Sequence, residues 1–305
     1  MVDLVKRVVV LLGGNSLERE VSLVSGYECA KAISNNGYEV FKIDTKDNFI
    51  KELQDLQPDV VFNALHGKWG EDGTIQGVLE TLKLPYTHSG ILASSVAMNK
   101  DRAKTIFRDA GLPVMDHLVL GKDFEVEKIS FPFPYVLKPI SGGSSLDVHI
   151  LNCKDDWFKN GTVISERAFD FMVEPFIPGR ELTVTVMGDK ALAVTDIRSD
   201  EWYDYDAKYG LDGSQHILPA QIPHEITELC LNYALAAHTA LGCRGVSRTD
   251  FRWNEMLGIN GLFILELNTQ PGMTPTSLVP EQAKYAGIGF GKLCTWLIND
   301  ASCDR

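Results

Sequence analysis

Four polar residues near the C-terminal end stand in pairs two apart: Arg248 with Asp250, and Glu266 with Asn268. Each pair lies in a run that reads as a strand, 245–252 and 262–268. Side chains two apart on a strand share a face. Two neighbouring antiparallel strands would therefore gather two carboxylates, an amide and a guanidinium on one surface. Hard oxygen donors of this kind suit Mg²⁺, which is held by one or two carboxylates together with substrate phosphates. On strand pattern alone, an amphipathic hairpin with a polar outer face accounts for the same residues better. Two features add weight to chemistry. Phe263 and Leu265 lead directly into Glu266, and the strand stops at Thr269-Gln270-Pro271-Gly272-Met273, a turn that can present backbone N–H groups.

Other segments carry weaker signals. An apolar strand ends in Lys138-Pro139, and Ser141-Gly142-Gly143-Ser144-Ser145 follows. Glycines let backbone amides approach phosphate oxygens closely, and lysine adds a point charge. This is not a Walker A loop, because the lysine precedes the glycines. The segment from Glu174 to Glu181, Glu-Pro-Phe-Ile-Pro-Gly-Arg-Glu, is extended between two acids. It could hold a nucleoside, with an apolar slot for a base and a carboxylate for ribose hydroxyls; a domain linker at Pro178-Gly179 is the plainer explanation.

Gly13-Gly14-Asn15-Ser16-Leu17-Glu18 follows a strand and opens a helix. A dinucleotide-binding turn with Asp44 as the ribose acid is the runner-up here. The glycine spacing does not fit it, and Glu18 near the helix start would repel a pyrophosphate. A carboxylate at that place suits an ammonium group instead. His66-Gly67-Lys68-Trp69-Gly70-Glu71-Asp72-Gly73 also follows a strand. Its spacing matches no zinc site, and a glycine-rich loop with a capping Asp is about equally compatible.

The elements that must position these residues read as α/β. A β-branched run at 7–12 stops at glycines, as a buried parallel strand does. A helix is expected from 18 to about 34, closed by Asn35-Asn36-Gly37, with strands at 39–43 and 59–63. This βαβ pattern predicts an open parallel sheet up to about residue 97. A second unit opens with a helix at 100–110 and strands at 117–120, 135–138, 163–167 and 171–176. A third has strands at 181–187 and 191–197, a polar aromatic loop at 199–213 and a helix at 225–241. Its last strands carry the two polar pairs.

Length and charge narrow the classes. A chain of 305 residues exceeds one ordinary core, so several domains are expected. A net charge of −12 argues against a nucleic-acid binder, which needs a basic surface. Six cysteines, none in a C-x-x-C pair, suggest reduced thiols in a cytoplasmic protein. No stretch is long enough to span a membrane.

Seven blocks in order resemble the D-alanine–D-alanine ligases of the ATP-grasp superfamily. They are 11–23 (LLGGNSLEREVSL), 66–73 (HGKWGEDG), 138–145 (KPISGGSS), 203–209 (YDYDAKY), 248–250 (RTD), 266–274 (ELNTQPGMT) and 277–280 (SLVP). The resemblance implies an α/β fold of three domains. An N-terminal parallel-sheet substrate domain at 1–98 would precede two ATP-grasp subdomains that clamp ATP, a central lid at 99–180 and a catalytic domain at 181–305. It also implies ligation of two D-alanines through a D-alanyl phosphate for peptidoglycan, with ATP and two Mg²⁺ ions, Mn²⁺ being able to substitute. A homodimer is implied, with no nucleic-acid or membrane partner.

By the same resemblance, Asp250, Glu266 and Asn268 bind metal. Lys100, Lys138, Ser144, Ser145 and Lys208 serve the phosphates. Glu174, the backbone from Pro175 through Phe176 to Ile177, and Glu181 hold adenine and ribose. Glu18 takes the ammonium of the first D-alanine, with His66 nearby, and Ser144 and Tyr209 link to Glu18 and close a lid. Arg248 and the N–H of Gly272 form the oxyanion hole, and Ser277 and Leu278 receive the second carboxylate.

Two departures from the family pattern stand out. Leu146-Asp147 replaces the usual Val-Gly or similar pair, and Asp147 is expected to point away from the phosphates. Pro175 replaces a usual Lys or Arg, but proline keeps the carbonyl that an adenine contact needs. A D-alanine–D-lactate ligase and an inactive nucleotide-binding relative are the alternatives; Tyr209 disfavours the first, and the intact set Arg248, Asp250, Glu266 and Asn268 the second.

Overall fold

A computed structural model of the chain describes residues 6–121, 129–144, 147–157, 171–198, 214–274 and 276–304. The expected strand at 163–167, the aromatic loop, and Ser145, Leu146, Lys208 and Tyr209 lie outside them.

Strands β1 (Arg7–Leu12), β2 (Glu39–Asp44) and β3 (Val60–Asn63) form a parallel sheet in the order β2-β1-β3. The valine run of β1 is buried because helices cover both faces. On one face Val8, Val10 and Leu12 pack on helix α1 (Arg19–Asn35). Gly26 permits this contact: a Cβ there would stand 2.5 Å from the Leu12 Cβ. On the other face Val9, Leu11 and Val61 meet Leu53, Ile75, Leu79 and Tyr86, drawn partly from two short helices, α2 (Phe49–Leu56) and α3 (Thr74–Leu82).

Helices α4 (Ile91–Met98) and α5 (Lys100–Asp109) lead out of this unit. Asn99 caps α5, its side chain accepting from the Arg102 N–H. A four-stranded antiparallel sheet follows in the order β4 (Leu118–Val119), β7 (Phe171–Pro175), β5 (Tyr135–Pro139), β6 (His149–Leu151). Tyr135, Leu137, Leu151, Trp157, Phe171 and Val173 build its own small core.

The third sheet has five antiparallel strands: β10 (Gln215–Ile217), β9 (Lys190–Arg198), β8 (Arg180–Met187), β11 (Val246–Trp253) and β12 (Leu262–Asn268). Its strands alternate. Leu182, Val184, Phe251 and Ile264 bury against Ile226, Cys230, Ala234 and Ala237 of helix α6 (His224–Ala240), while Thr183, Arg248 and Asp250 converge by hydrogen bonding on the opposite face. Helices α7 (Leu278–Tyr285) and α8 (Phe290–Asp300) end the chain, and α8 returns to the first sheet, where Leu293, Leu297 and Ile298 join the core around β1. This last contact is long-range and has no local signature.

Candidate active site

The site is built on the register of β11 and β12. Asp250 stands opposite Glu266, and Arg248 opposite Asn268. The Asp250 carboxylate is almost fully engaged. Arg248 donates from Nε at 2.8 Å and from Nη2 at 2.7 Å. The Thr183 hydroxyl of β8 donates at 2.6 Å and the Asn268 amide at 3.0 Å. Glu266 faces the Lys100 ammonium at 3.1 Å, and that ammonium also donates to the Gly142 carbonyl at 2.7 Å. Lys100 thus ties α5, the glycine loop and β12 together. Among the described residues no group of three or more His, Cys, Asp or Glu side chains is arranged to hold a metal ion by itself. A cation here would be held by two carboxylates and an amide, all hard oxygen donors, and this set fits Mg²⁺.

One cavity opens from these residues between the two antiparallel sheets. Lys100, Lys138, Glu174, Pro175, Phe176, Ile177, Glu181, Asp250 and Glu266 all line it, with Val136 and Leu265 as apolar wall. Both oxygens of Glu174 are taken, one by Lys138 and one by Lys104, each at 2.5 Å. Burial alone would push this carboxyl up; the two ammonium groups outweigh it and hold it down at about 2. Arg252 donates to the Ile177 carbonyl at 3.2 and 3.1 Å, packs over the Phe176 ring and lies 3.5 Å from Glu181. It fixes the apolar slot on its outer side.

A second cavity adjoins the first, sharing Gly143 and Glu266 in its wall. It brings together Glu18, His66, Ser144, Arg248, Asn268, Gly272, Ser277 and Leu278. Glu18 stands at the N-terminus of α1 without a side-chain cap bond, and its carboxylate accepts a hydrogen bond from the Ser144 hydroxyl. Gly67 makes room: a Cβ there would meet a Glu18 oxygen at 2.2 Å, and its φ is +72. His66 is buried between Glu71 at 3.0 Å and the Ser25 hydroxyl at 3.1 Å. Burial raises the Glu71 carboxyl, the His66 contact opposes this, and the nearby Glu18 charge adds to it. The Ser277 hydroxyl accepts from the Thr274 N–H at 3.0 Å and contacts the Thr274 hydroxyl at 2.7 Å. Gln270 donates to the Leu65 carbonyl at 2.6 Å and accepts from Asn63 at 2.7 Å, locking this wall to the first sheet.

The residues singled out in the sequence that are described thus line two adjoining cavities. Asp147 is exposed with φ +58 and lines neither. Asp44 is unsuited to a dinucleotide ribose: Arg19 binds both its oxygens at 3.0 and 2.6 Å, and the Gly14 N–H donates to it at 3.0 Å. A Cβ on Gly13 would lie 2.5 Å from that carboxylate, so the space over the turn is already filled. Several polar groups in or behind the cavity walls escaped the sequence reading, Arg252, Lys104 and His216 among them. Lys104 lies one helical turn after Lys100, a spacing that puts both on one face of α5. His216, 2.9 Å from Glu281, lines the second cavity; a lone histidine in a short strand gave no signal.

Similarity to known proteins agrees with this layout. The family profile described as "D-ala D-ala ligase C-terminus" matches residues 106–299, and "D-ala D-ala ligase N-terminus" matches residues 44–89. A D-alanine–D-alanine ligase from Ruegeria sp. (strain TM1040) is 55% identical over 299 residues, covering 98% of this chain and 97% of the relative. One from Cereibacter sphaeroides (strain ATCC 17025 / ATH 2.4.3) is 56% identical over 301 residues, again covering 98% and 97%. The crystal structure of the Bacillus anthracis D-alanine–D-alanine ligase complexed with ATP superimposes with a TM-score of 0.84 at 31% identity, covering 97% of each chain. By these matches along nearly its whole length, and by an open parallel sheet followed by two antiparallel sheets around a shared cleft, the chain belongs to the D-alanine–D-alanine ligase family of ATP-grasp enzymes.

Proposed function

We propose that this protein joins two D-alanines into D-alanyl-D-alanine at the expense of ATP, for peptidoglycan precursor synthesis. The observation that carries the reading is the meeting of the two cavities at Gly143 and Glu266. A nucleotide in the first would place its terminal phosphate at the mouth of the second.

The steps follow from the chain's own groups. Glu18 binds the ammonium of the first D-alanine, so that its carboxylate faces the nucleotide. That carboxylate attacks the γ-phosphorus of ATP, forming D-alanyl phosphate and releasing ADP. Lys100 and Lys138 neutralise the phosphates. Ser277 and the start of α7 receive the carboxylate of the second D-alanine. Its amine, having given one proton to solvent, attacks the acyl carbon, and the proton the nitrogen sheds after bonding leaves with the phosphate. The oxyanion that forms is met by Arg248 and the N–H of Gly272. Collapse expels phosphate and leaves the peptide bond.

Asp250, Glu266 and Asn268 would hold Mg²⁺, which supplies charge neutralisation at the transferring phosphoryl group. Acyl phosphates hydrolyse if water enters, so a closing segment is required; Lys208 and Tyr209 are assigned to it from the family pattern, as Ser145 is to the phosphate loop. The three units, 1–98, 99–180 and 181–305, divide the work as substrate, lid and catalytic parts. A cytoplasmic homodimer completes the reading. Among the described residues no helix is long and apolar enough to cross a membrane.

The test is phosphate release with ATP, Mg²⁺ and D-alanine, against L-alanine and against D-alanine plus D-lactate. Release and dipeptide formation with D-alanine alone are expected. No D-alanine-dependent release sinks the reading, and a depsipeptide as the main product changes the acceptor.

A further inference from the structure

Lys104 has no part in the reaction as drawn, yet it is 1% exposed and its ammonium is 2.5 Å from Glu174. A lysine is seldom buried so deeply without a purpose, because removing its charge from water is costly. The Glu174 carboxylate is shared, with Lys138 on its other oxygen at 2.5 Å. One carboxylate between two ammonium groups leaves a net positive charge. With Lys138 alone the pair would be neutral, and Lys138 would be consumed as a counter-ion.

The helix adds a second role. Lys100 and Lys104 stand one turn apart on α5. The first reaches Glu266 of the five-stranded sheet and the second Glu174 of the four-stranded sheet. A single helix face therefore spans both walls of the nucleotide cavity.

We infer that Lys104 is a positioning residue for the nucleotide: by sharing Glu174 with Lys138 it keeps the inner end of the cavity net positive and leaves Lys138 available to an anionic ligand. This rests on the ATP reading of that cavity. The charge is also adjustable. Burial drives the Lys104 ammonium down to about 8, Glu174 partly restores it, and Lys138 and Arg108 lower it further. Above that pH the trio becomes neutral. Lys104 should therefore couple nucleotide affinity to pH on the basic side.

The experiment is ATP titration by calorimetry, with initial rates alongside, on wild type, Lys104→Met and Lys104→Arg from about pH 7 to about pH 10. Lys104→Met should weaken ATP binding about tenfold, with the KM for D-alanine unchanged. In wild type ATP affinity should begin to fall near pH 8, and in Lys104→Arg that fall should vanish, because guanidinium stays charged. Equal weakening for ATP and D-alanine, or the same basic fall in Lys104→Arg as in wild type, overturns the inference. If Lys104→Met does not fold, the arginine profile decides alone. Calorimetry needs no turnover, so a wild type that binds ATP but forms no dipeptide refutes the ligase reading and leaves this one standing.

Discussion

The guanidinium of Arg248 grips the carboxylate of Asp250 with two parallel hydrogen bonds, at 2.8 and 2.7 Å, from two positions earlier on the same strand. A strand places i and i+2 side by side, and a guanidinium fork matches a carboxylate. The pair gives Arg248 one fixed direction. Lysine cannot reproduce the fork. Arg248→Lys should therefore lower kcat by about 10²- to 10³-fold, the cost of losing an oxyanion donor. ATP affinity should stay within twofold or so of wild type, since Arg248 does not line the nucleotide cavity. Steady-state rates beside an ATP titration check this; a loss confined to ATP affinity would contradict it.

At Gly67 a single methyl group should disturb substrate binding more than stability, because what it meets is the Glu18 carboxylate. Its φ is +72, and the added Cβ would meet Glu18 at 2.2 Å. Gly67→Ala must shift the carboxylate that faces Ser144. The KM for D-alanine should rise about tenfold or more, with a stability loss of only ~1–2 kcal/mol. Urea unfolding and substrate titration separate the two effects. An unchanged KM would mean that Glu18 does not hold substrate.

Glu71 trades stability for function. Burial raises its carboxyl, so the folded state holds this proton more firmly than the unfolded chain does. That contribution is complete below the unfolded value of 4.5 and is lost as pH rises through the folded value. At neutral pH the charge is a burden. Glu71→Gln should therefore be as stable as wild type or more so at neutral pH, with the difference closing toward pH 4.5. His66 would lose its charged partner at 3.0 Å, and D-alanine binding should weaken. Melting curves across pH, with D-alanine KM at neutral pH, test both halves.

Glu174 behaves in the opposite sense. Despite burial, its two ammonium partners hold it at about 2, below its ordinary 4.5. Its stabilisation is present above pH 4.5 and is lost as pH falls toward 2. Glu174→Gln should cost ~3–5 kcal/mol, because two buried ammonium groups lose their counter-charge. Chemical denaturation of both proteins should show the gap narrowing in acid. A gap that is constant down to about pH 3 would rule out the charge explanation.

Local pattern carried much of this molecule. The valine run of β1, the glycines that end it, the helix ending at Asn35, and the strands bearing Arg248-Asp250 and Glu266-Asn268 are all readable from nearest-neighbour chemistry, because strand and helix periodicities act over a few residues. So are Lys138 and the ends of the Glu174–Glu181 segment. The short helices at 49–56, 74–82 and 91–98 were not read, nor were those at 278–285 and 290–300, since brief amphipathic stretches owe their shape to the surface they cover. What the chain order could not contain is which distant groups meet. Nothing near Glu174 announces that Lys104, 70 residues earlier, shares its carboxylate; the meeting of Glu18 with Ser144, 126 residues on, was expected from the family resemblance and not from local pattern; and nothing near β1 foretells that Leu297 closes its core. Residue types limited which chemistry was possible. Packing three sheets through shared helices decided which charges sit together, because a buried charge must find its partner wherever the fold brings one.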